Sequence, residues 1–245
     1  ALNTHRHLEL YYAAPCSGAM LHPINVRLAP DHIVFTINHA EDTVIFFDDI
    51  LLPLLESVYD QIKDTVKKFV YMSDKPGLPD TKIENLYEYE ELLKKESDEY
   101  EWPYLSEDNY ATLCYTTGTT GLPKGAMFTH RALYLLTLHM LALTSFVNDP
   151  SRKYLGENTV PMIITPLFHI HAWGAPFSYA WLGVKIVLNG TFTVEGFCEL
   201  VQAEKVTTVA VVPTILALLL EYKDLDKYDL SSLVQVSVGG GALPL

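Results

Sequence analysis

The sequence predicts an α/β protein: two doubly wound, mostly parallel sheets with helices packed around them in αβαβα layers. Two observations predict it. Continuous β-branched runs recur at Val160 to Thr165, Val184 to Leu188, Val206 to Val212 and Val234 to Val238. Helix-like segments near Gly174 to Leu182, Val194 to Glu204 and Thr214 to Tyr222 separate them. Apolar runs without polar alternation are strands covered on both faces, and such strands joined by helices make parallel sheets.

The earlier half follows the same logic less regularly. Leu8 to Gly18 has helical spacing, and Ala19 to Leu21 reads as a short strand. Pro30 stands where a helix starts, with Asp31 to His39 continuing it. Thr43 to Phe47 is a strand, Leu51 to Lys67 an amphipathic helix and Phe69 to Met72 a strand. Asp74 to Asp108 is polar and punctuated by Pro76, Pro79 and Pro103, with a helix expected at Tyr87 to Lys95. Tyr110 to Tyr115 is a strand. Thr129 is the expected N-cap of a helix at His130 to Thr144, whose apolar residues go nearly all the way round and predict burial on several sides. The polar break at Asn148 to Asn158 divides a first subdomain, residues 1–155, from a second, residues 156–245.

Composition narrows the function. The net charge is −13, and 12 of those charges lie between Glu41 and Asp108, where 19 acidic residues face 7 basic ones. Nucleic-acid binders need clustered Lys and Arg, so that class is excluded. Cys16, Cys114 and Cys198 have no metal or redox spacing and read as reduced thiols of a cytoplasmic protein. No run reaches the ~20 apolar residues of a transmembrane segment. The longest candidate, Thr208 to Leu220, is split by Pro213 and Thr214, and the first residues do not read as a secretory leader.

The most informative stretch is TTGTTGLPKG, Thr116 to Gly125, between an apolar strand and an apolar helix. Glycines allow close backbone approach, threonine hydroxyls donate hydrogen bonds, and Lys124 adds a point charge. That is a polyphosphate cradle, expected near a helix N-terminus. The spacing is not the G-x-x-x-x-G-K-[ST] of a P-loop, because Gly118, Gly121 and Lys124 stand three apart. His169 and His171 could suggest an HxH metal pair, but no third ligand accompanies them, and zinc needs at least three.

Five segments then carry a resemblance. YTTGTTGLPKGAMFTHR, Tyr115 to Arg131, resembles the signature loop of the adenylate-forming (AMP-binding) superfamily, which includes acyl-CoA synthetases, beetle luciferases and peptide-synthetase adenylation domains. HPINVRLAP (His22 to Pro30), TPLFHIHAWG (Thr165 to Gly174), VVPTIL (Val211 to Leu216) and VGGGALPL (Val238 to Leu245) resemble further family segments, in the family's order. The LFHIHAW form is most similar to fatty acyl-CoA synthetases.

The resemblance implies a two-step reaction using ATP, Mg²⁺ and coenzyme A: a carboxylic acid becomes acyl-AMP, then acyl-CoA. Thr116, Thr117, Gly118, Thr119, Thr120, Gly121 and Lys124 would grip the β- and γ-phosphates. Thr116 would also be the Mg²⁺-associated position. His169 would face the acyl carboxylate, giving Thr116, Lys124 and His169 the catalytic roles. Trp173, a gate-like position in the fatty acyl relatives, would line the acyl pocket with Phe177 and Val238. Gly239, Gly240 and Gly241 would let adenine and acyl groups lie against bare backbone. The partners implied are small molecules, with a homodimer compatible.

The resemblance also implies that the family's Tyr-Gly-x-Thr-Glu segment, ribose-binding aspartate, hinge and C-terminal lid domain lie outside these 245 residues. The chain is thus expected to be an internal fragment of the large N-terminal domain, inactive alone. Two rival readings are a CoA ligase for aromatic or other small acids, and a non-catalytic nucleotide-binding module of the same fold.

Overall fold

A computed structural model describes residues 1–116, 121–145 and 158–242. The chain forms two compact units. One comprises Ala1 with Glu9–Thr129, the other Leu2–Leu8 with His130–Leu245. The units thus meet in sequence at Thr129/His130, so the helix after His130 belongs with the second unit and not with residues 1–155. Residues 148–157 of the polar break lie outside the described residues.

In the first unit, β1 (Val44–Asp48), β2 (Lys68–Met72) and β3 (Leu86–Glu88) form a parallel sheet in the order β1-β2-β3. Helix α1 spans His5–Cys16, of which the part from Glu9 onward belongs to this unit, α2 spans Pro30–Ala40 and α3 Leu52–Ile62. Helix α3 buries Leu55, Val58, Tyr59 and Ile62, the i, i+3, i+4, i+7 stripe of an amphipathic helix, against Ile33 and Ile37 of α2 and Phe47 and Phe69 of the sheet. Several expected bounds shift. The helix expected to reach Lys67 ends at Ile62, because the Thr65 hydroxyl donates to Asn38 Oδ1 (2.6 Å) and Val66 turns into the core. The segment expected to be helical from Tyr87 first completes the sheet as β3, and α4 (Tyr89–Leu93) follows. The strand expected at Ala19 to Leu21 is a single bridge, Leu21 to Thr112, since Pro23 has no N–H with which to extend it.

The unit ends in an antiparallel hairpin of β4 (Tyr110–Thr116) and β5 (Lys124–Thr129). This pair stands apart from the parallel sheets, and β5 is a strand that the sequence pattern did not predict.

In the second unit, β6 (Pro161–Ile163), β7 (Val187–Leu188), β8 (Thr208–Val211) and β9 (Gln235–Val238) form a parallel sheet in the order β7-β6-β8-β9. Helices Ala175–Trp181, Val194–Glu204 and Pro213–Leu220 alternate with them. The Thr193 hydroxyl caps the second by accepting from Gly196 N at 3.0 Å. Met162, Val187, Val201, Val209 and Val211 make the core. Helix α5 (His130–Ser145) opens this unit. It was expected to be buried on several sides, yet it buries Leu133 and Thr137 and leaves Tyr134, Leu135, Leu136 and Leu138 exposed. Among the described residues, no helix is long and apolar enough to cross a membrane.

The strand order contains a topological switch point. The chain leaves β6 toward β7 on one side and leaves β8 toward β9 on the other, so the order reverses between β6 and β8. In open parallel sheets, ligands bind outside the carboxyl ends of the strands at that switch point. The segments that emerge there are residues 164–174, Val212 with Pro213, and residues 239–241.

Candidate functional site

At the end of the hairpin, Thr116 and Lys124 are register partners, the last pair of the β4–β5 ladder. Both are exposed, as is Gly121. Gly121 has φ +142° with open space around it, so the backbone there takes a conformation closed to other residues and presents nothing but main chain. Thr117, Gly118, Thr119 and Thr120 lie outside the described residues. The ladder therefore presents the first hydroxyl and the ammonium of the motif from opposite strands of one hairpin.

This corrects one expectation. The loop joins two strands, not a strand and a helix. Five residues of β5 follow Lys124 before α5 begins at His130, about 17 Å of extended chain at ~3.4 Å per residue. A helix dipole falls off within its first turn, so α5 does not act on this loop through the chain that joins them. Among the described residues of the motif, the polar side chains presented at this end are the Thr116 hydroxyl and the Lys124 ammonium.

The base of the hairpin is held by groups that sequence reasoning missed. The Tyr115 hydroxyl and His39 Nδ1 share a hydrogen bond of 2.6 Å. The His22 ring lies 5.0 Å from the Tyr115 ring, and its Nδ1 is 2.8 Å from Asp42 Oδ2. Burial, with the Asp42 carboxylate, pushes the Tyr115 phenol up, so it remains a hydroxyl at neutral pH. A Cβ on Gly125 would come within 3.3 Å of the same ring, so Tyr115 also fixes how closely β5 approaches. Only the position of His22 within HPINVRLAP hinted at this cluster.

In the second unit, the chain leaving β6 runs buried through Thr165, Leu167 and Phe168, and then surfaces at His169. His169 is exposed. The next four residues, Ile170, His171, Ala172 and Trp173, have φ of 43°, 52°, 46° and 58°, and Gly174 follows at 78°. That is a left-handed turn made of non-glycine residues, including a β-branched one, and costs roughly 1–2 kcal/mol per residue. Strain of this kind persists only where the surroundings over-determine it, and it clusters at functional sites.

The turn sorts the HxH pair. His169 faces outward, while His171 is buried with its ring 6.3 Å from that of Phe177. Burial pushes the His171 imidazole down to about 4, so it is neutral at pH 7. His7, also buried and 2.9 Å from the Leu2 carbonyl through Nδ1, is pushed down to about 3, mainly by burial. Among the described residues, no group of three His, Cys, Asp or Glu could hold a metal ion.

The turn also delivers Trp173 to the end of β9. A Cβ on Gly239 would lie 3.3 Å from Trp173 Cη2, and one on Gly240 would lie 3.3 Å from Val212 Cγ1 and 3.8 Å from Trp173 Cζ2. A Cβ on Gly241 would meet the Pro213 ring at 3.6 Å. Trp173, Val212, Pro213 and residues 239–241 thus converge at the carboxyl ends of the strands, at the switch point. Val238 is half-buried against the core, and Phe177 is engaged with His171.

Asn3 went unnoticed in the sequence. It is 4% exposed, its Nδ2 donates to the carbonyls of Ile163 (2.9 Å) and Thr165 (3.0 Å), and its Oδ1 accepts from Leu167 N (2.9 Å). No periodic signal marks a single polar residue some 160 positions from its partners.

A family model described as AMP-binding enzyme matches residues 1–245. The chain is 38% identical over 247 residues to a 3-methylmercaptopropionyl-CoA ligase of Ruegeria lacuscaerulensis, covering 100% of this chain and 44% of that protein. It is 41% identical over 243 residues to a long-chain-fatty-acid–CoA ligase of Thermus thermophilus (99% and 42%). It is 36% identical over 246 residues to a medium-chain-fatty-acid–CoA ligase of Ectopseudomonas oleovorans (100% and 43%). The chain spans less than half the length of these relatives. Among solved structures, an anthranilate CoA ligase in complex with anthranoyl-AMP matches with a TM-score of 0.80 at 22% identity, covering 100% of this chain and 45% of that one. The N-terminal domain of FACL13 from Mycobacterium tuberculosis, inhibitor-bound, matches with a TM-score of 0.80 at 22% identity (99% and 56%). At that identity the likeness speaks for the fold alone.

Proposed function

This chain belongs to the AMP-binding enzyme family, and on that premise we propose that the whole protein activates an aliphatic carboxylic acid, foremost a fatty acid, to its CoA thioester. In the first step a carboxylate oxygen attacks the α-phosphorus of ATP. An acyl C–O–P bond forms, and the P–O bond to pyrophosphate breaks. In the second, the sulfur of coenzyme A attacks the acyl carbon, a C–S bond forms, AMP leaves, and the thiol proton passes to solvent. A carboxylate is a poor electrophile and a mixed anhydride a good one, so the work lies in positioning and charge neutralisation.

Thr116 and Lys124, paired across the exposed end of the hairpin, grip the β- and γ-phosphates together with Thr117, Gly118, Thr119, Thr120 and Gly121. The charge that builds on the departing pyrophosphate is offset by Lys124 and the hydroxyls. The Thr116 hydroxyl offers one oxygen, and no cluster of metal-binding side chains stands among the described residues. That donor set fits a Mg²⁺ ion carried mainly by the nucleotide's phosphates, where it would neutralise their charge. His169, exposed beside the switch point, meets the acyl carboxylate. Trp173, with Phe177 and Val238 behind it, lines the acyl path, and Gly239, Gly240 and Gly241 give adenine and acyl groups bare backbone. Three cysteines outside disulfides support a cytoplasmic setting.

The observation that carries the choice of acid is the contact of the Trp173 indole with bare glycine backbone beside Val212 and Pro213. The side chains that meet there, Trp173, Val212 and Pro213, are apolar, which suits an alkyl chain, whose burial contributes about 0.8 kcal/mol per CH₂. ATP–pyrophosphate exchange by the whole protein, measured with acids from acetate to palmitate, with 3-methylmercaptopropionate and with benzoate, tests this. Aliphatic acids of medium or long chain are expected to give the highest kcat/KM. A preference for benzoate overturns the assignment and leaves the fold intact.

A further inference from the structure

We infer that Asn3 is a positioning residue for the acid-binding side of this site, which rests on the reading of the site as an acid-activating one. Its amide spends both N–H donors and its oxygen on three backbone groups, those of Ile163, Thr165 and Leu167. All three lie at or beyond the point where β6 stops pairing. The β6–β8 ladder ends at Met162 with Val209, and the β6–β7 ladder ends at Ile163 with Leu188. Past it no strand pairing of β6 continues among the described residues, and the Asn3 amide bonds the chain there instead. The Asn3 carbonyl accepts from Gly190 N at 3.0 Å, so the same residue also ties down the chain leaving β7.

Directly after the clamp comes the segment the chemistry needs. Leu167, whose N–H the clamp holds, is wholly buried and stands two residues before His169. The left-handed turn then carries Trp173 onto Gly239. The turn, with four consecutive positive φ angles, is strained despite its own bonds from Ala172 N to the His169 carbonyl (3.0 Å) and from Gly174 N to the His171 carbonyl (2.9 Å), and a fixed entry point sets where it begins. Loosening the clamp therefore displaces His169 and Trp173, which meet the acid, and leaves the ATP-gripping hairpin unchanged.

The test uses the whole protein with Asn3→Asp, Asn3→Ala and Asn3→Ser. The Asp variant keeps the acceptor for Leu167 N–H but turns an oxygen toward two carbonyls. The Ser hydroxyl can serve one partner only and is the mildest change, so it remains measurable if the others fail to fold. Val201→Ala, fully buried in the core of the same unit, serves as the control for a plain loss of stability. The expected result is a rise of about 10-fold in KM for the acid, since small misplacements of reacting groups are amplified, with KM for ATP within about 2-fold. Val201→Ala is expected to lower the melting temperature without that split. Asn3 variants with the kinetic profile of Val201→Ala overturn the positioning role while acid activation stands. A wild-type protein that exchanges with no acid overturns both.

Discussion

Along β5 of the hairpin, Lys124, Gly125, Ala126 and Met127 are all exposed, and the described end of the motif is held by one ladder and the Tyr115 ring. In the second unit, the chain that leads to His169 is buried at Thr165, Leu167 and Phe168, clamped by Asn3 and wound through a strained turn. One region supplies donors in number on an open scaffold, and the other supplies few groups on a tightly determined path. A phosphate has many equivalent oxygens and tolerates small displacements of any one donor. A carboxylate that must attack in line does not. Function should therefore separate from stability in the hairpin and be coupled to it in the second unit.

The largest expected effect breaks or sharpens this contrast at once. Lys124→Ala removes a charge-assisted contact worth roughly 1.5–3 kcal/mol, so pyrophosphate exchange by the whole protein is expected to fall by about 10- to 100-fold. Because Lys124 is exposed, its thermal midpoint should stay within the error of the melt. A variant that loses exchange and melts several degrees lower would show that the hairpin is built as tightly as the acid side.

Next in size is the acid sensitivity of the turn. The His171 imidazole is held near 4 in the fold and near 6.5 when unfolded, so below pH 6.5 the unfolded chain binds the proton first. Stability from this group is therefore present at neutral pH. It is lost as pH falls from about 6.5 to about 4, by at most ~3 kcal/mol. His7 acts in the same direction, with its limb reaching about 3. His171→Gln is expected to flatten the dependence of the urea midpoint on pH over that window. His169→Ala, at an exposed site, is expected to leave stability at neutral pH within about 0.5 kcal/mol. Equal effects of the two variants would dissolve the distinction between the outward and the inward histidine.

The two regions also differ in how much of them the sequence displays. The motif Thr116 to Gly125 stands out in the sequence because its residue types are themselves donors, and strands β6 to β9 are legible because buried parallel strands are continuous apolar runs. Strand β5 is not, since Gly125 and Ala126 are weak strand formers and, among the described residues, it pairs with β4 alone. The three residues of β3 are too few to carry a period. The left-handed turn runs against local propensity, because Ile-His-Ala-Trp contains no glycine to favour positive φ. Asn3 is the extreme case, a single polar side chain whose meaning exists only once β6 stands beside it.

The smallest effect is the finest probe of the acid side. Gly239 has no positive φ, so Gly239→Ala adds a methyl group without backbone strain, and that methyl presses on Trp173 Cη2 at 3.3 Å. A contact this short moves the indole by tenths of an ångström, which narrows the apolar wall by less than one methylene. The expected outcome is a relative loss of about 4-fold in kcat/KM for the longest acids against shorter ones, the equivalent of one CH₂ at ~0.8 kcal/mol. Gly240→Ala, at φ +81°, should instead cost about 1 kcal/mol of stability through strain. Kinetics across the acid series and thermal melts of the two variants separate these causes. A Gly239→Ala protein with an unaltered chain-length profile would mean that the acyl chain does not pass beside Trp173, and the tightly determined path in this unit would then serve the carboxylate end alone.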